Sequence, residues 1–351
     1  MSEFYGDTET IIPSKVIVTG GSGLIGKAIK SLISFVHSLT SVESEFLRQA
    51  KDYEWVFLSS KDGDLRSLEV TRSIFQKHRP RYVIHLAARV GGLYRNMAEK
   101  VAMYEDNMAM NHNVIKVADE FNVCKTVLCL STCVFPDKPP LQENGRRYPF
   151  NETTLHQGPP HPSNEGYAYA KRMMELQARL YNQKNTNQIN GPKFVCVIPT
   201  NVYGPHDNFH LEDSHVIPGL IHRCYIAKRD NTDFVVRGTG SAVRQFIHSE
   251  DLARRILMVL FEVEPEDIPN GMIIAPSEEH SIGDIVKMIA DSTGLARDRI
   301  RYDGSYGDGQ HQKTADNSLL VSQTPMSFTP LKQGIIETVQ WFCQNYNQAR
   351  K

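Results

Sequence analysis

A glycine-rich turn near the amino terminus constrains the fold of this chain more than any other feature. Residues 15–20 (KVIVTG) form an apolar, β-branched run that ends in glycine, which is typical of a buried parallel strand. Residues 24–37 then carry apolar side chains at helical spacing. The turn between them, TGGSGLIG (19–26), fits both TGxxGxxG and GxGxxG. Together the strand, the turn and the helix predict the first unit of a dinucleotide-binding Rossmann sheet.

The spacing of these glycines suits a pyrophosphate group. One glycine allows the tight turn, another lets the backbone approach the phosphates, and the last lets the helix pack closely on the strand, while the helix amino terminus supplies N–H donors. A glycine-rich turn without a ligand is the alternative, and the flanking strand and helix favour the nucleotide site. The residues predicted to contact the cofactor in this turn are Gly20, Gly21, Ser22, Gly23, Leu24, Ile25 and Gly26.

Strand-like and helix-like segments alternate along the first two hundred residues. The pattern predicts strands at 53–58, 81–88 and 125–132, a strand that runs into a turn at 193–204, and helices at 67–78, 99–121 and 167–183. This alternation predicts an α/β protein with a doubly wound parallel sheet.

The alternation of strand-like and helix-like segments is interrupted after Gly204. Turn-forming residues fill 205–243, a strand and a helix follow at 244–261, and a further helix is predicted at 281–294. We therefore expect an NADP-binding Rossmann domain from 14–205 with about 244–262, and a smaller C-terminal substrate-binding domain from 206–243 and 263–345.

Composition narrows the function classes. The 351 residues include 39 Lys and Arg against 40 Asp and Glu, so no field of one sign is available for a nucleic acid. There is no apolar run of the ~18 residues that a membrane span needs, and MSEFYGDTET lacks the apolar core of a signal peptide. The six cysteines form no CxxC pair, which favours free thiols in a reducing compartment, and we expect a cytoplasmic protein.

The end of the second predicted strand bears on the choice between NAD and NADP. In LSSKDGDL (58–65), Ser59, Ser60 and Lys61 come first, and no acidic residue stands at the strand tip to bind a ribose 2′-hydroxyl. This favours the 2′-phosphate of NADP(H), with Lys61 as its cation, although Lys61 could equally be a solvated surface lysine. Asp64 either meets the adenine or caps the following helix.

A second set of residues indicates carbonyl chemistry. Tyr167 and Lys171 lie four residues apart on one face of a predicted helix, where the ammonium would lower the tyrosine pKa and hold the nicotinamide ribose. Ser131, at the carboxyl end of a predicted strand, would hydrogen-bond the substrate carbonyl beside Tyr167. Cys133, two residues further on, could as a thiolate abstract a proton α to that carbonyl.

His215 could supply the complementary acid, because the pKa of histidine lies near neutrality. Arg223 and Arg244 are candidates for a diphosphate, and each could also be a surface cation. His206 and His210 have a spacing that suits a metal, but no carboxylate or cysteine completes a ligand set, and we expect no metal site.

These motifs resemble a known family. TGGSGLIG, HLAA (85–88), the Ser131–Cys133 triplet, Tyr167 with Lys171, and PTNVYGPHDNF (199–209) are together similar to the extended short-chain dehydrogenases/reductases. GGLYRN (91–96), STCVFP (131–136) and SHVIPGLI (214–221) resemble one bifunctional branch of that family, which acts on GDP-4-dehydro-6-deoxy-D-mannose.

The resemblance implies epimerisation at C3 and C5 of the sugar, followed by NADPH-dependent reduction at C4, giving GDP-L-fucose. It implies Cys133 as the epimerisation base, His215 as the acid and Tyr167 as the proton donor in the reduction. Further cofactor contacts implied by the family are Lys171, Pro199, Thr200, Asn201, Val202 and His215. Substrate contacts implied by the family are Arg223, Arg244 and Asp308, with Arg237 standing where the family often has tryptophan. It also implies a homodimer formed by the helices near 99–121 and 167–183.

Two other functions stay open. A nucleotide-sugar 4-epimerase or dehydratase would recycle a bound NAD, and a non-catalytic NADP sensor would need neither Tyr167 nor Lys171. A separate expectation concerns residues 137–162, which contain six prolines and must form an irregular loop. Its length and its place between a strand and a helix suggest a lid.

Overall fold

The computed structural model describes residues 14–40, 44–141, 145–188, 191–307, 309–323 and 327–351. The strands are β1 (Lys15–Thr19), β2 (Glu54–Phe57), β3 (Pro80–His85), β4 (Lys125–Cys129), β5 (Lys193–Pro199), β6 (Asn201–Tyr203), β7 (Phe234–Arg237), β8 (Val243–Arg244), β9 (Phe246–His248), β10 (Met272–Ile274), β11 (His280–Ser281), β12 (Ile300–Asp303) and β13 (Gln312–Lys313). The helices are α1 (Leu24–Ser38), α2 (Glu45–Gln49), α3 (Leu68–His78), α4 (Leu93–Ala98), α5 (Lys100–Glu120), α6 (Glu165–Asn185), α7 (Val216–Arg229), α8 (Ser249–Glu262), α9 (Ile282–Thr293), α10 (Ser318–Gln323) and α11 (Leu331–Gln344).

Six parallel strands form the central sheet, in the order β10-β5-β4-β3-β1-β2. Helices cover both faces, so alternate residues of one strand enter different cores. Val16 and Val18 of β1 pack with α1 and α8, whereas Ile17 packs in a second core with α3, α5 and α6. The predicted doubly wound Rossmann sheet is confirmed.

The position of the cofactor cleft follows from the strand order. From β1 the chain proceeds to β2 on one side, and then crosses back to β3 on the other side of β1. The carboxyl ends of β1 and β3 therefore form the topological switch point, where doubly wound sheets bind their ligands. TGGSGLIG follows directly after β1 at this point.

Two boundary predictions were wrong. The run 193–204 is not one strand, because β5 ends at Pro199 and β6 leaves the central sheet to pair with β9. Strand β10 belongs to the central sheet beside β5, although its residues lie in the range assigned to the smaller domain. The break between β5 and β6 was not predicted because apolar and β-branched residues continue across it. Strand β10 was not predicted because three residues are too few to give a clear pattern. The short helices α2, α4 and α10 and the final helix α11 were not predicted. Helix α7 was missed as well, because it lies in the range 205–243 that was interpreted as turns.

A third core lies in the later part of the chain, where α7, α9 and α11 pack together with β7 and β12. The described parts of the proline-rich loop, 137–141 and 145–162, contain short 3₁₀ helices and isolated β-bridges at Phe150 and Pro160, which agrees with the irregular loop predicted. Phe150 anchors this loop: its side chain is fully buried and its ring stacks on Phe135. No helix within the described ranges is long and apolar enough to cross a membrane.

Candidate active site

The glycine turn fits closely between β3 and α1. Gly20 has φ +68°, and a Cβ atom there would lie 2.8 Å from the backbone nitrogen of Ala87, just beyond β3. A Cβ on Gly26, in the first turn of α1, would lie 2.5 Å from the Cα atom of Gly21. No residue with a side chain fits at Gly20 or Gly26 without a shift of the backbone.

The amino terminus of α1 is suited to phosphate. Gly23 is its N-cap residue, no side chain caps it, and its first turn, which includes Leu24 and Ile25, has no acidic residue. Backbone N–H groups at such a terminus favour an anion. The turn and the helix start therefore fit a dinucleotide pyrophosphate.

A buried hydrogen-bond chain joins the turn to the helices behind it. The Thr19 hydroxyl lies 2.8 Å from Nδ1 of His85, and Nε2 of His85 lies 3.1 Å from Oδ1 of Asn111. Since Oδ1 of an amide only accepts, Nε2 carries the proton and Nδ1 accepts from Thr19. Burial lowers the pKa of His85 to about 3, so the ring is neutral. Asn111 in turn donates to the Ala170 carbonyl of α6.

The tip of β2 corrects two expectations. Lys61 is exposed there, but Asp62 folds back so that its carboxylate accepts from the backbone N–H and the hydroxyl of Ser59. An acidic side chain therefore does lie at this tip, and the argument for NADP from its absence was wrong. Asp64 pairs with Arg66, and Ser67 is the N-cap of α3, so the capping role considered for Asp64 was also wrong. Ser60 is exposed in the same turn.

Two side chains of helix α6 bind the two ends of the segment that contains Ser131 and Cys133. The ammonium of Lys171 donates to the Cys129 carbonyl over 2.7 Å, at the end of β4. The guanidinium of the next residue, Arg172, donates to the Val134 carbonyl over 2.5 Å. Both cations are almost fully buried, so their bonds to the backbone are shielded from water. Between them, Ser131 accepts from the backbone N–H of Cys133.

Tyr167 lies one helical turn before Lys171 on α6, as the four-residue spacing predicts. The Lys171 nitrogen lies 5.7 Å from the centre of the tyrosine ring. Burial, and then the neighbouring Cys133 and Cys129, raise the pKa of Tyr167 well above 10.0. The expectation that Lys171 lowers the pKa of Tyr167 was wrong. The Lys171 ammonium donates to the Cys129 carbonyl, and the burial of Tyr167 raises its pKa. Tyr167 is therefore a protonated donor in this state.

Cys133 and His215 show opposite shifts. Burial raises the pKa of the Cys133 thiol above its ordinary 9.0. The solvent-accessible His215 is the N-cap residue of α7, and surrounding protein with Arg350 and Lys313 lowers its pKa below 6.5. In the resting site the pair is thus a thiol and an imidazole. Lys313 acts on both groups.

The segment 199–202 passes from the central sheet to β6. Pro199 ends β5, and the backbone N–H of Thr200 donates to the Ile274 carbonyl. Asn201 donates through its side chain to the Gln245 carbonyl, and the partly buried Val202 packs against the core under α1 and α8. These residues continue from the carboxyl end of β5, the edge on which the glycine turn also lies.

Two of the predicted substrate residues bond to backbone carbonyls. Arg244 of β8 donates to the carbonyls of Gln310 and His311. Arg223 of α7 donates to the Leu211 carbonyl. Asp308 lies outside the described residues.

Arg237 belongs to a cluster that we name the Arg237 cluster: Tyr94, Glu212, Arg237 and Tyr306. Its guanidinium makes two 2.8 Å bonds to the carboxylate of Glu212. The same group lies 5.5 Å from the ring centre of Tyr94 and 4.9 Å from that of Tyr306. Burial lowers the pKa of Arg223, and all four residues of the cluster influence it as well. The two phenol rings also contact each other, with centres 5.9 Å apart, so the guanidinium and both rings form one packed group.

Sequence reasoning missed several of these residues. Asn111 and Arg172 lie within predicted helices that gave no reason to single them out, whereas His85 belongs to the quoted HLAA motif. Lys313 and Glu212 lie in polar stretches without periodicity. Only the pairing of β13 with β8 shows where Lys313 belongs.

Comparisons with known proteins agree with this geometry. The family model described as "NAD dependent epimerase/dehydratase family" matches residues 16–275. A GDP-L-fucose synthase of Dictyostelium discoideum is 47% identical over 345 residues, covering 98% of this chain and 100% of that protein. A probable GDP-L-fucose synthase of Drosophila melanogaster is 40% identical, covering 96% of this chain and 99% of that protein.

A similar fold has been solved with cofactor. The crystal structure of a GDP-L-fucose synthetase from Naegleria fowleri bound to NADP has a TM-score of 0.83 to this chain, with 42% identity. The match covers 96% of each chain.

Proposed function

The chain belongs to the NAD dependent epimerase/dehydratase family, and we propose that it converts GDP-4-dehydro-6-deoxy-D-mannose to GDP-L-fucose. The observation that carries the proposal is the segment from Cys129 to Val134, which Lys171 and Arg172 hold and whose Cys133 lies in the same packed cluster as Tyr167. The full-length identity of 47% to a GDP-L-fucose synthase supports the same reaction.

The epimerisation half uses Cys133 and His215. The 4-keto group acidifies the C3 and C5 protons, and the Cys133 thiolate takes one such proton. The C–H electron pair moves onto the C4 oxygen, where Ser131 and Tyr167 stabilise the charge by hydrogen bonds. His215 then gives a proton to the carbon from the opposite face, which inverts the centre.

The reduction half uses Tyr167. NADP(H), the cofactor bound in the similar Naegleria fowleri structure, supplies hydride to C4 when bound. Tyr167, protonated because burial raises its pKa, gives its proton to the C4 oxygen. Lys171 fixes the segment carrying Ser131 through the Cys129 carbonyl. In the cofactor site we assign the glycine turn, Lys61 and 199–202, and in the substrate site Arg223, Arg244 and Arg237.

Asp62 favours a second candidate. Its carboxylate at the tip of β2 is the kind of group that binds the ribose of NAD. A redox-neutral nucleotide-sugar epimerase would fit such a site and would consume no NADPH.

One experiment separates these reactions. We would follow the NADPH absorbance with GDP-4-dehydro-6-deoxy-D-mannose in D₂O and weigh the sugar product by mass spectrometry. NADPH loss with two solvent deuterons at carbon supports the proposal. NADPH loss without deuterium would leave a plain 4-reductase, and no NADPH loss would favour the redox-neutral epimerase.

A pair of cysteine variants tests the role of Cys133 in that assay. Cys133→Ser should lose most of the deuterium uptake. Cys343→Ser is the matched control, because Cys343 is an exposed thiol on α11, and it should exchange as the unaltered protein does. Equal uptake in the two variants would remove Cys133 from the mechanism.

The proposal includes a homodimer formed through α5 and α6. These helices pack on each other and leave apolar side chains exposed, among them Val101 at 68% and Leu180 at 52%. Burying such a patch against a second copy is favourable. Leu180→Glu should shift the sedimentation coefficient toward that of a monomer, and an unchanged coefficient would argue against this interface.

A cytoplasmic location is part of the same proposal. All six cysteines have free thiols, which fits a reducing compartment. Cell fractionation with an antibody to the protein would test it.

A further inference from the structure

His222 lies in the middle of α7, and the reaction described above does not use it. It is buried, and its ring contacts those of Phe342 and Tyr346, with centres 5.3 and 5.7 Å apart. Nδ1 of His222 lies 2.8 Å from the carbonyl oxygen of Phe209, so this nitrogen carries a proton and donates a hydrogen bond to that oxygen. Burial lowers the pKa of His222 below 6.5, which leaves the ring neutral near pH 7.

The second ring nitrogen makes this histidine a costly choice. Within the part of the chain that the structure describes, the buried Nε2 of His222 has no hydrogen-bond partner. An apolar side chain among the same aromatic rings would avoid that cost. The bond from Nδ1 to Phe209 is therefore the one polar contact that a histidine supplies here.

Phe209 is held from several directions at once. Its backbone N–H donates to the carbonyl of Arg350, which follows α11, over 2.7 Å. Its ring is fully buried and stacks on Phe342, with centres 4.4 Å apart. With the bond from His222, both backbone polar groups and the side chain of Phe209 are engaged. Phe209 is thus a fixed point in the loop that joins β6 to α7.

From this fixed point the chain reaches His215 through one compact turn. The backbone N–H of Ser214 donates to the His210 carbonyl over 3.1 Å. Nδ1 of His210 also accepts from the backbone N–H groups of Glu212 and Asp213, each over 3.3 Å. His215 comes next and is the N-cap residue of α7. A displacement at the start of this turn would therefore move His215.

The loop and the helix close into a ring. The chain passes from Phe209 to His215, continues for about two turns of α7 to His222, and returns to Phe209 through the hydrogen bond. On the side of the cofactor cleft, the backbone N–H of Gly92 donates to the Asp213 carbonyl over 3.0 Å. His222 therefore supplies the anchor of the loop that belongs to the His215 helix itself.

The position of His215 decides between two fates of the sugar. After the Cys133 thiolate takes a proton, the electron pair lies on the C4 oxygen. In D₂O, a deuteron given by His215 from the opposite face inverts the centre. A deuteron returned to the same face by the Cys133 thiol, once that thiol has exchanged with solvent, labels the sugar without inversion. Proton transfer needs hydrogen-bond reach, so a displaced His215 slows only the first fate.

We propose that His222 is a positioning residue for the epimerisation half of the reaction: its hydrogen bond to the Phe209 carbonyl fixes the loop that leads to His215, and so favours protonation with inversion. The inference rests on the proposed function. In this role His222 neither binds the sugar nor transfers a proton. It acts through Phe209 and His215.

The test measures the ratio of the two fates. The reaction is run in D₂O with excess NADPH, which reduces the inverted ketone as it forms. At early times, deuterium in the unreacted, uninverted sugar is compared with the GDP-L-fucose formed. His222→Leu should raise this ratio about tenfold. His222→Asn, whose amide can donate from near the position of Nδ1, should restore it. His37→Leu, which removes an exposed histidine in the last turn of α1, is the matched control and should keep the ratio of the unaltered protein.

The ratio does not depend on how much of the protein is folded, because both fates arise from the same deprotonated sugar. A merely structural role would lower both signals together, and an unchanged ratio in His222→Leu would overturn the proposal. A ratio in His222→Asn as high as in His222→Leu would also overturn it, since the hydrogen bond would not be the cause. Should His222→Leu fail to fold by circular dichroism, His222→Phe is measured in its place under the same criterion.

The same experiment separates this inference from the proposed function. An unaltered protein that makes labelled GDP-L-fucose, together with an unchanged ratio in His222→Leu, rejects only the role of His222. An unaltered protein that takes up no deuterium rejects the proposed function, and the role of His222 with it.

Discussion

The two ends of the proposed substrate site are built differently. At the catalytic end, buried cations on α6 fix the Ser131–Cys133 segment through backbone carbonyls. At the other end, the Arg237 cluster consists of side-chain contacts near the surface, where Arg237 is 22% exposed and Glu212 is 59% exposed. Bond making requires fixed atoms, because a small misplacement slows the reaction. Holding a nucleotide tolerates movement, and screened contacts are sufficient.

This difference indicates which residues of the site determine the rate of the reaction and which determine the affinity for the substrate. Changes at the buried end should alter turnover by orders of magnitude. Changes at the exposed end should alter the affinity for the nucleotide by a few-fold and leave turnover alone.

The largest effect is expected for Tyr167→Phe. Removal of the hydroxyl takes away the group that protonates the C4 oxygen in the reduction, and NADPH oxidation should fall by about 10²- to 10⁴-fold. Deuterium uptake at C3 and C5 should fall much less, because Cys133 and His215 are intact and Ser131 still stabilises the charge on the C4 oxygen. Measuring both signals in one reaction checks this. Loss of both signals together would contradict the division of labour between Tyr167 and Cys133.

A smaller effect is expected for Gly20→Ala. A methyl group there meets the backbone beyond β3 at 2.8 Å, with φ at +68°. The strain costs ~1–3 kcal/mol, so the Kd for NADPH should rise about tenfold or more. Gly304→Ala is the control, because a Cβ at Gly304 meets nothing within 4 Å. Fluorescence titration with NADPH measures both, and equal Kd values would show that the turn does not hold the cofactor.

The exposed end is tested by Arg237→Ala. Loss of the guanidinium that packs against two phenol rings removes a flat surface for a purine, worth ~1 kcal/mol. The KM for the GDP-sugar should rise about fivefold, while kcat is unchanged. Arg301→Ala, which breaks an exposed ion pair with Asp233, should change neither. A fall in kcat for Arg237→Ala would mean that the two ends are not separate.

What the sequence revealed follows the same division. The glycine turn and the pair Tyr167 and Lys171 were predictable because contiguous segments carry them at fixed spacing. The grip of Arg172 on Val134 joins residues 38 apart, and no local pattern reports it. The position of Lys313 is set by the pairing of two-residue strands. The role of Glu212 comes from its hydrogen bond with Arg237, which is 25 residues away in the sequence. Tertiary contacts of this kind leave no periodic pattern in the sequence, so they could not be predicted from it.

The smallest effect expected at the exposed end is the response of the affinity to pH, and this separates the two ends without any substitution. Hydrogen bonds from Arg237 hold the pKa of Glu212 below its ordinary 4.5. A depressed carboxyl pKa means that the ion pair is present above that value and is lost as pH falls through it. The affinity for GDP-mannose, an unreactive nucleotide sugar, should therefore stay level from about pH 9 down to about pH 5.

The rate at the catalytic end should respond to acid once the pH falls below the pKa of His215, which is lower than 6.5. The reactive state needs a Cys133 thiolate and a His215 imidazolium, while the pKa of Cys133 is raised and that of His215 is lowered. Between the two pKa values, the loss of one form offsets the gain of the other. Below the pKa of His215 the imidazolium is complete and the thiolate still declines, so kcat/KM for deuterium uptake should fall about tenfold per pH unit. Calorimetric affinities measured beside these rates check the contrast. If affinity and rate declined together, one ionisation would govern both ends, and the separation between them would not hold.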